Sequence, residues 1–177
     1  AKRGVLFKGG TYLANLAEIK AVAFDKTGTL TQGNPSVTDV YFVDRERTEE
    51  WIQMIVSMEK SANHPLAKAI LSHFKDVKPM EIDVHNEIGK GLVATVKNNH
   101  YQIGKKDFFS NVSQDLLAQA DQLMSKGKNV VFFSENEIVV GYLAMMDLPQ
   151  ENAKDVIDYL HQQEIQTVMI TGDAQST

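Results

Sequence analysis

Two short, unbroken apolar runs frame the chain, and neither alternates as a half-exposed strand would. Residues 21–24 (Ala-Val-Ala-Phe) and 167–170 (Thr-Val-Met-Ile) predict parallel strands buried on both faces and neighbouring each other in one sheet. Between them the pattern changes. Residues 37–43 alternate as a strand, and Thr48 predicts the cap of a helix with Glu49 and Glu50 in its first turn. Trp51, Ile52, Ile55 and Met58 form the apolar stripe of that helix. Pro65 suits the first position of a second helix, with Leu66, Ala69, Ile70 and Phe74 on one side. Strands are predicted over 82–88, 92–96 and 101–103, the last two joined by a hairpin turn at Asn98-Asn99. Ser113 opens a helix carrying Leu116, Leu117, Ala120, Leu123 and Met124, which Gly127 closes. Two further strands, 130–133 and 138–143, flank a polar loop of Ser134-Glu135-Asn136-Glu137.

Gly33-Asn34-Pro35 and Asp147-Leu148-Pro149 punctuate this pattern and predict hinges. The chain thus reads as one α/β domain interrupted by another. Residues 1–35 and 146–177 belong to a partial parallel-sheet domain, and residues 36–145 form an inserted α+β domain on an antiparallel sheet. No internal repeat or low-complexity tract interrupts either part.

Composition narrows the function classes. The 177 residues are 43% hydrophobic, enough for a sizeable core, and carry a formal net charge of -5 without a long basic block. A nucleic-acid surface is not expected. The absence of cysteine rules out disulfides and thiolate metal sites. The longest apolar stretch, 138–146, is far short of the roughly 20 residues of a spanning helix. The first ten residues do not have the pattern of a signal peptide.

The candidate chemistry begins where the first apolar run ends. Residues 25–31 read Asp25-Lys26-Thr27-Gly28-Thr29-Leu30-Thr31, which places a carboxylate at the carboxyl end of a strand, beside a loop whose small residues let backbone N–H groups approach a phosphate. Such a carboxylate can become an aspartyl phosphate. A second constellation lies in the insert: Glu59, then Ser61-Ala62-Asn63-His64-Pro65-Leu66-Ala67, then Gly89-Lys90-Gly91 and Gly104. An imidazole can stack on adenine, a carboxylate can accept from its amino group, and glycines at strand ends leave room for a flat ring. A lysine between two glycines can touch a phosphate or simply remain a solvated loop charge.

The first motif resembles the phosphorylation motif of the P-type ATPases, ion pumps of the haloacid-dehalogenase superfamily. His64-Pro65-Leu66-Ala67 with Gly89-Lys90-Gly91 resembles the nucleotide-binding domain of their heavy-metal-transporting (P1B) class. The resemblance implies that Asp25 is the phosphorylated nucleophile, with Lys26 and Thr27 beside it. It implies that Glu59, His64, Gly89, Gly91 and Gly104 bind ATP. Thr171, Gly172 and Asp173 match residues that bind phosphate and nucleotide around the hinge, and Asp25 contributes to a Mg²⁺ site that further carboxylates complete. Thr27 stands where related phosphatases carry an acid/base Asp, which implies a long-lived phosphoenzyme. Two departures stand out: Ala62-Asn63 replaces a Ser-Glu pair, and Asp147 lacks the Arg three residues on.

Family members continue past Thr171-Gly172-Asp173, so the chain is expected to be a soluble fragment that binds ATP without turnover. Its expected partners are the transmembrane and actuator domains of a parent chain, and its expected place is the cytoplasmic side of a membrane protein. The residues before the first strand, Gly4 to Gly10 with Tyr12-Leu13, resemble the segment that leads from the membrane to the phosphorylation strand in the zinc/cadmium and iron-type pumps. Two alternatives remain on sequence alone: a haloacid-dehalogenase phosphatase with a cap insert, which would want Asp at position 27, and a non-catalytic nucleotide-binding module.

Overall fold

The structure is a computed structural model that describes residues 5–170 except Phe7. The chain divides into two compact units. One takes the residues up to Gly33 and from Pro149 onward, and the other is Asn34–Leu148.

In the first unit, β1 (Ala21–Asp25) pairs in parallel with β8 (Gln166–Ile170), in a register running from Ala21↔Gln166 to Asp25↔Ile170. Helix α1 (Gly10–Leu16) precedes β1, and α5 (Ala153–Gln162) precedes β8 and packs on it. The predicted pairing is present, but the predicted burial is not. Val168, Met169 and Ile170 are all more than half exposed, and β1 alternates between exposed and half-buried positions. The physical reason is the sheet's size: among the described residues it has two strands, too few for one helix to cover both faces.

The second unit is built on a six-stranded sheet in the order β2-β7-β6-β5-β4-β3. Its strands are β2 (Thr31–Phe42), β3 (Val84–Glu87), β4 (Gly91–Val96), β5 (Asn99–Gly104), β6 (Asn129–Glu135) and β7 (Ile138–Pro149). Pairing is antiparallel from β3 through β7. Pro35 does not break β2. It lies within that strand at the sheet edge, where a missing N–H costs no ladder bond. The two expected hinge sequences are therefore strand residues, although the boundary between the units falls at them.

Each face of this sheet has its own core. Helices α2 (Thr48–Glu59) and α3 (Pro65–His73) cover one face, where Trp51, Ile55, Met58 and Ile70 meet Leu92, Ile103, Phe133 and Leu143. Helix α4 (Gln114–Ser125) covers part of the other, placing Leu116 and Ala120 against Val130, Phe132 and Tyr142. Alternate residues of β6 serve the two cores, which is why its sequence is apolar without a break. Local expectations are corrected in three places. Thr48 does not cap α2 but donates its hydroxyl to the Asp44 carbonyl at 2.9 Å, and Arg47 is the cap position. The β4–β5 turn is Lys97-Asn98, and the β6–β7 turn is Asn136-Glu137; all four residues have positive φ. Such two-residue turns match strand twist, so Asn99, Ser134 and Glu135 belong to strands.

Candidate functional site

Asp25 is the last residue of β1 and is exposed. The chain then makes a tight five-residue turn, Lys26–Leu30, in which Gly28 takes φ 78°. Thr31 staples the turn: its hydroxyl accepts from the Gly28 N–H at 3.2 Å and donates to the Lys26 carbonyl at 3.2 Å. Gly33, at φ 72°, approaches so closely that a Cβ on it would lie 3.2 Å from Gly28 Cα. The far side is held by Gln150, whose N–H donates to Leu30 O at 2.8 Å and whose amide reaches Thr31 O at 3.3 Å. Hydroxyl and glycine residues thus fix the loop that follows the carboxylate. Thr27 is exposed in this loop. Thr171, Gly172 and Asp173 lie outside the described residues.

For Mg²⁺, the test is the donor set. Among the described residues no group of three or more ligating side chains forms, so Asp25 would offer a single carboxylate. That fits an ion that takes one or two carboxylates and fills its remaining positions with phosphate oxygens and water.

In the second unit, Glu59 ends α2 and His64 caps α3. The cap is formed by the ring: His64 Nδ1 accepts from the Ala67 N–H at 3.1 Å, while extended φ/ψ and Pro65 start the helix. An accepting Nδ1 places the proton of the neutral ring on Nε2. Nε2 lies 3.5 Å from Glu59 Oε2. Glu59 is only 4% exposed, and its Oε2 has no hydrogen-bond partner. Burial pushes the Glu59 carboxyl up to about 7 and the His64 imidazole down. Both shifts favour the neutral forms over an ion pair. The His64 side chain is 48% exposed, leaving a ring surface open for stacking.

The three glycines divide into two kinds. Gly89 sits in the β3–β4 turn at φ 77° with open space where a Cβ would be. Gly91 and Gly104 face each other across β4 and β5. A Cβ on Gly91 would strike the Ile103 carbonyl and lie 2.9 Å from both Gly104 Cα and Phe108 Cδ1. One on Gly104 would lie 2.5 Å from the Lys90 carbonyl and 2.7 Å from Phe108 Cδ1. The side chain that closes the space over these two glycines is the protein's own Phe108, through Cδ1. Lys90 is an exposed turn residue with Nζ 4.0 Å from Glu87 Oε2.

Sequence reasoning missed Phe108, though an aromatic pair four residues after a strand-end glycine was a readable signal. It also missed the anchor of α2: Arg47 donates to both carboxylate oxygens of Glu135 at 2.5 and 2.7 Å and lies 4.8 Å over the Trp51 ring. Trp51 Nε1 donates to the same carboxylate at 3.2 Å. An open groove of about 430 Å³ runs along His161, Glu164, Gln166 and Val168 and contains none of the expected site residues.

A strand ending in an Asp with a glycine-hydroxyl loop, interrupted by an inserted sheet, defines a class. The chain belongs to the haloacid dehalogenase-like hydrolases, whose family model matches residues 19–177. Within that class, its homologues are metal-transporting P-type ATPases. It is 38% identical to a probable cadmium-transporting ATPase of Staphylococcus aureus (strain MRSA252), over 100% of this chain and 26% of that protein. It is 34% identical to a probable copper-importing P-type ATPase A of Enterococcus hirae, over 99% of this chain and 24% of that protein. The crystal structure of a zinc-transporting PIB-type ATPase in the E2.Pi state superposes with a TM-score of 0.81 at 31% identity, covering 98% of this chain and 29% of that one. The chain thus spans about a quarter of the length of the curated relatives it matches. No helix among the described residues is long and apolar enough to cross a membrane.

Proposed function

We propose that this chain is the nucleotide-binding and phosphorylation region of a heavy-metal-transporting P-type ATPase, whose parent protein forms an aspartyl phosphate at Asp25. The observation that carries this reading is the Asp25 loop: a carboxylate at the carboxyl end of a parallel strand, followed by a turn that Thr31 and two close-packed glycines hold in shape. Similarity along the whole chain to pumps named for cadmium and copper supports it.

In this reading the Asn34–Leu148 unit binds ATP. His64 offers its exposed ring to the adenine, Glu59 reads the edge of the base, and Gly89 lets the neighbouring turn pass close by. The γ-phosphoryl group is transferred to an oxygen of Asp25, and ADP leaves. Lys26 and Thr27 flank the acceptor, while Thr171, Gly172 and Asp173 contact phosphate and nucleotide. Asp25 would supply one ligand to a Mg²⁺ ion, which would offset charge on the transferred phosphoryl group. Thr27 cannot serve as a strong acid or base, which favours a phosphoenzyme over rapid hydrolysis and so a pump over a phosphatase. The region lies on the cytoplasmic side of the membrane and works with the transmembrane and actuator domains of its parent.

Labelling the full-length parent with γ-labelled ATP, followed by acid quench, tests this. A hydroxylamine-sensitive label that disappears in Asp25→Asn is expected. Equal labelling of that variant would overturn the assignment.

A further inference from the structure

We propose that Glu59 reads adenine as a neutral carboxylic acid, its hydroxyl donating to ring nitrogen N1 and its carbonyl oxygen accepting from the 6-amino group, so that adenine nucleotide binding is coupled to retention of a proton. This rests on the adenine site proposed above and adds the protonation state through which that site recognises the base.

The geometry that supports it is the Glu59–His64 pair. Glu59 is almost wholly withdrawn from water and Oε2 has no hydrogen-bond partner, an arrangement that costs a carboxylate more than a carboxylic acid. His64 cannot readily supply compensating positive charge. Protonating Nδ1 would break the bond from the Ala67 N–H that caps α3, so the ring is held neutral with Nε2–H toward Glu59 at 3.5 Å.

The other charged groups nearby are engaged elsewhere or solvated. On α2, Lys60 pairs with Glu81; in the β3–β4 turn, Lys90 is 4.0 Å from Glu87. On α3, Lys68 is exposed and His73 packs edge-on against Phe74. Strand β4, which packs on α2, carries no ionisable side chain.

The edge of the base decides between the two forms. Adenine presents an acceptor at N1 beside a donor at its amino group, and a protonated carboxyl presents the complementary donor and acceptor. A carboxylate would satisfy the amino group but set a second oxygen lone pair against N1. Desolvation, which pushes this carboxyl up to about 7, places the change of state where binding can sense it.

The experiment is calorimetric titration of this chain with ATP and with 1-deaza-ATP between pH 6 and pH 8.5. The wild type is expected to bind ATP about tenfold more weakly at pH 8 than at pH 6. 1-Deaza-ATP should bind more weakly than ATP at pH 6, and the difference should shrink at pH 8.5. Glu59→Gln keeps one donor and one acceptor without titrating, so at pH 8.5 it should bind ATP more tightly than the wild type. Affinity that is flat or rises with pH, or a Gln variant weaker than wild type at pH 8.5, would overturn the proton coupling while leaving the adenine site standing. Failure of the wild type to bind ATP at any pH would overturn both. Native far-UV circular dichroism of the variant at each pH excludes misfolding as the source of a loss.

Discussion

Gly91 and Gly104 stand opposite each other across β4 and β5, with Phe108 Cδ1 beside the place a Cβ would take on either. Neither has room for a methyl group, because the obstacles include backbone atoms of the neighbouring strand as well as the ring. Gly91→Ala and Gly104→Ala should each destabilise the chain by about 1 to 3 kcal/mol through overpacking. Gly89→Ala meets open space and pays only for its left-handed backbone, about 1 kcal/mol. Urea denaturation of the three variants checks the ranking. A Gly89 variant as unstable as the other two would contradict it.

Burial of Glu59 has a consequence for stability with a definite sign. Its carboxyl is raised by desolvation from 4.5 to about 7, so the folded state holds a proton that the unfolded state has released. Its favourable contribution is complete below pH 4.5 and is lost as pH rises toward 7. Glu59→Gln should therefore gain stability relative to wild type as pH rises, by at most about 3 kcal/mol near pH 8, and show no such gain at pH 4. Denaturation midpoints at the two pH values test this.

The Arg47–Glu135 pair predicts the opposite limb. Its hydrogen bond from Arg47 holds the Glu135 carboxyl below its ordinary 4.5, so this contribution is present above pH 4.5 and is lost as pH falls through the lowered value. Glu135→Ala also leaves Trp51 Nε1 without this acceptor and removes one of the two carboxylates that the guanidinium engages, Glu50 being the other. Because Arg47 is partly exposed, the expected cost at pH 7 is about 1 to 2 kcal/mol, falling below pH 4. A loss that does not change with pH would contradict the assignment.

Thr31 joins both ends of the turn after Asp25, so Thr31→Val should loosen it while keeping side-chain volume. Faster amide exchange at Gly28 and a slower rate of aspartyl phosphate formation in the parent are expected, with an approximate stability cost of 1 kcal/mol. Unchanged Gly28 exchange would show that the hydroxyl does not hold the loop.

Much of this architecture is legible in the chain because short-range chemistry and burial agree. The runs at 21–24 and 167–170 do pair, Ser113 accepts from the Leu116 N–H as a cap, and Pro65 starts α3. The heptad-like stripe of α2 is buried at Trp51, Ile55 and Met58. What was not legible depends on partners distant in sequence. The exposure of Met169 and Ile170 depends on how many strands share their sheet, which no local pattern encodes. The turn at Lys97-Asn98 differs by one residue from the expected Asn98-Asn99 because register is set by burying Leu92 and Ala94 against Ile103 and Tyr101. In the candidate site, His64 and Glu59 were readable as residue types, but the shift of both toward their neutral forms follows from burial, and the ring-nitrogen cap from the local helix start.

The most direct test of the nucleotide-binding assignment is an amide chemical-shift map of this chain titrated with ATP. The largest changes are expected to cluster at Glu59, His64 and Gly89, and His64→Ala is expected to weaken binding about tenfold with the fold intact. Saturable changes confined to the groove around His161, Gln166 and Val168, or equal ATP affinity in His64→Ala, would contradict it.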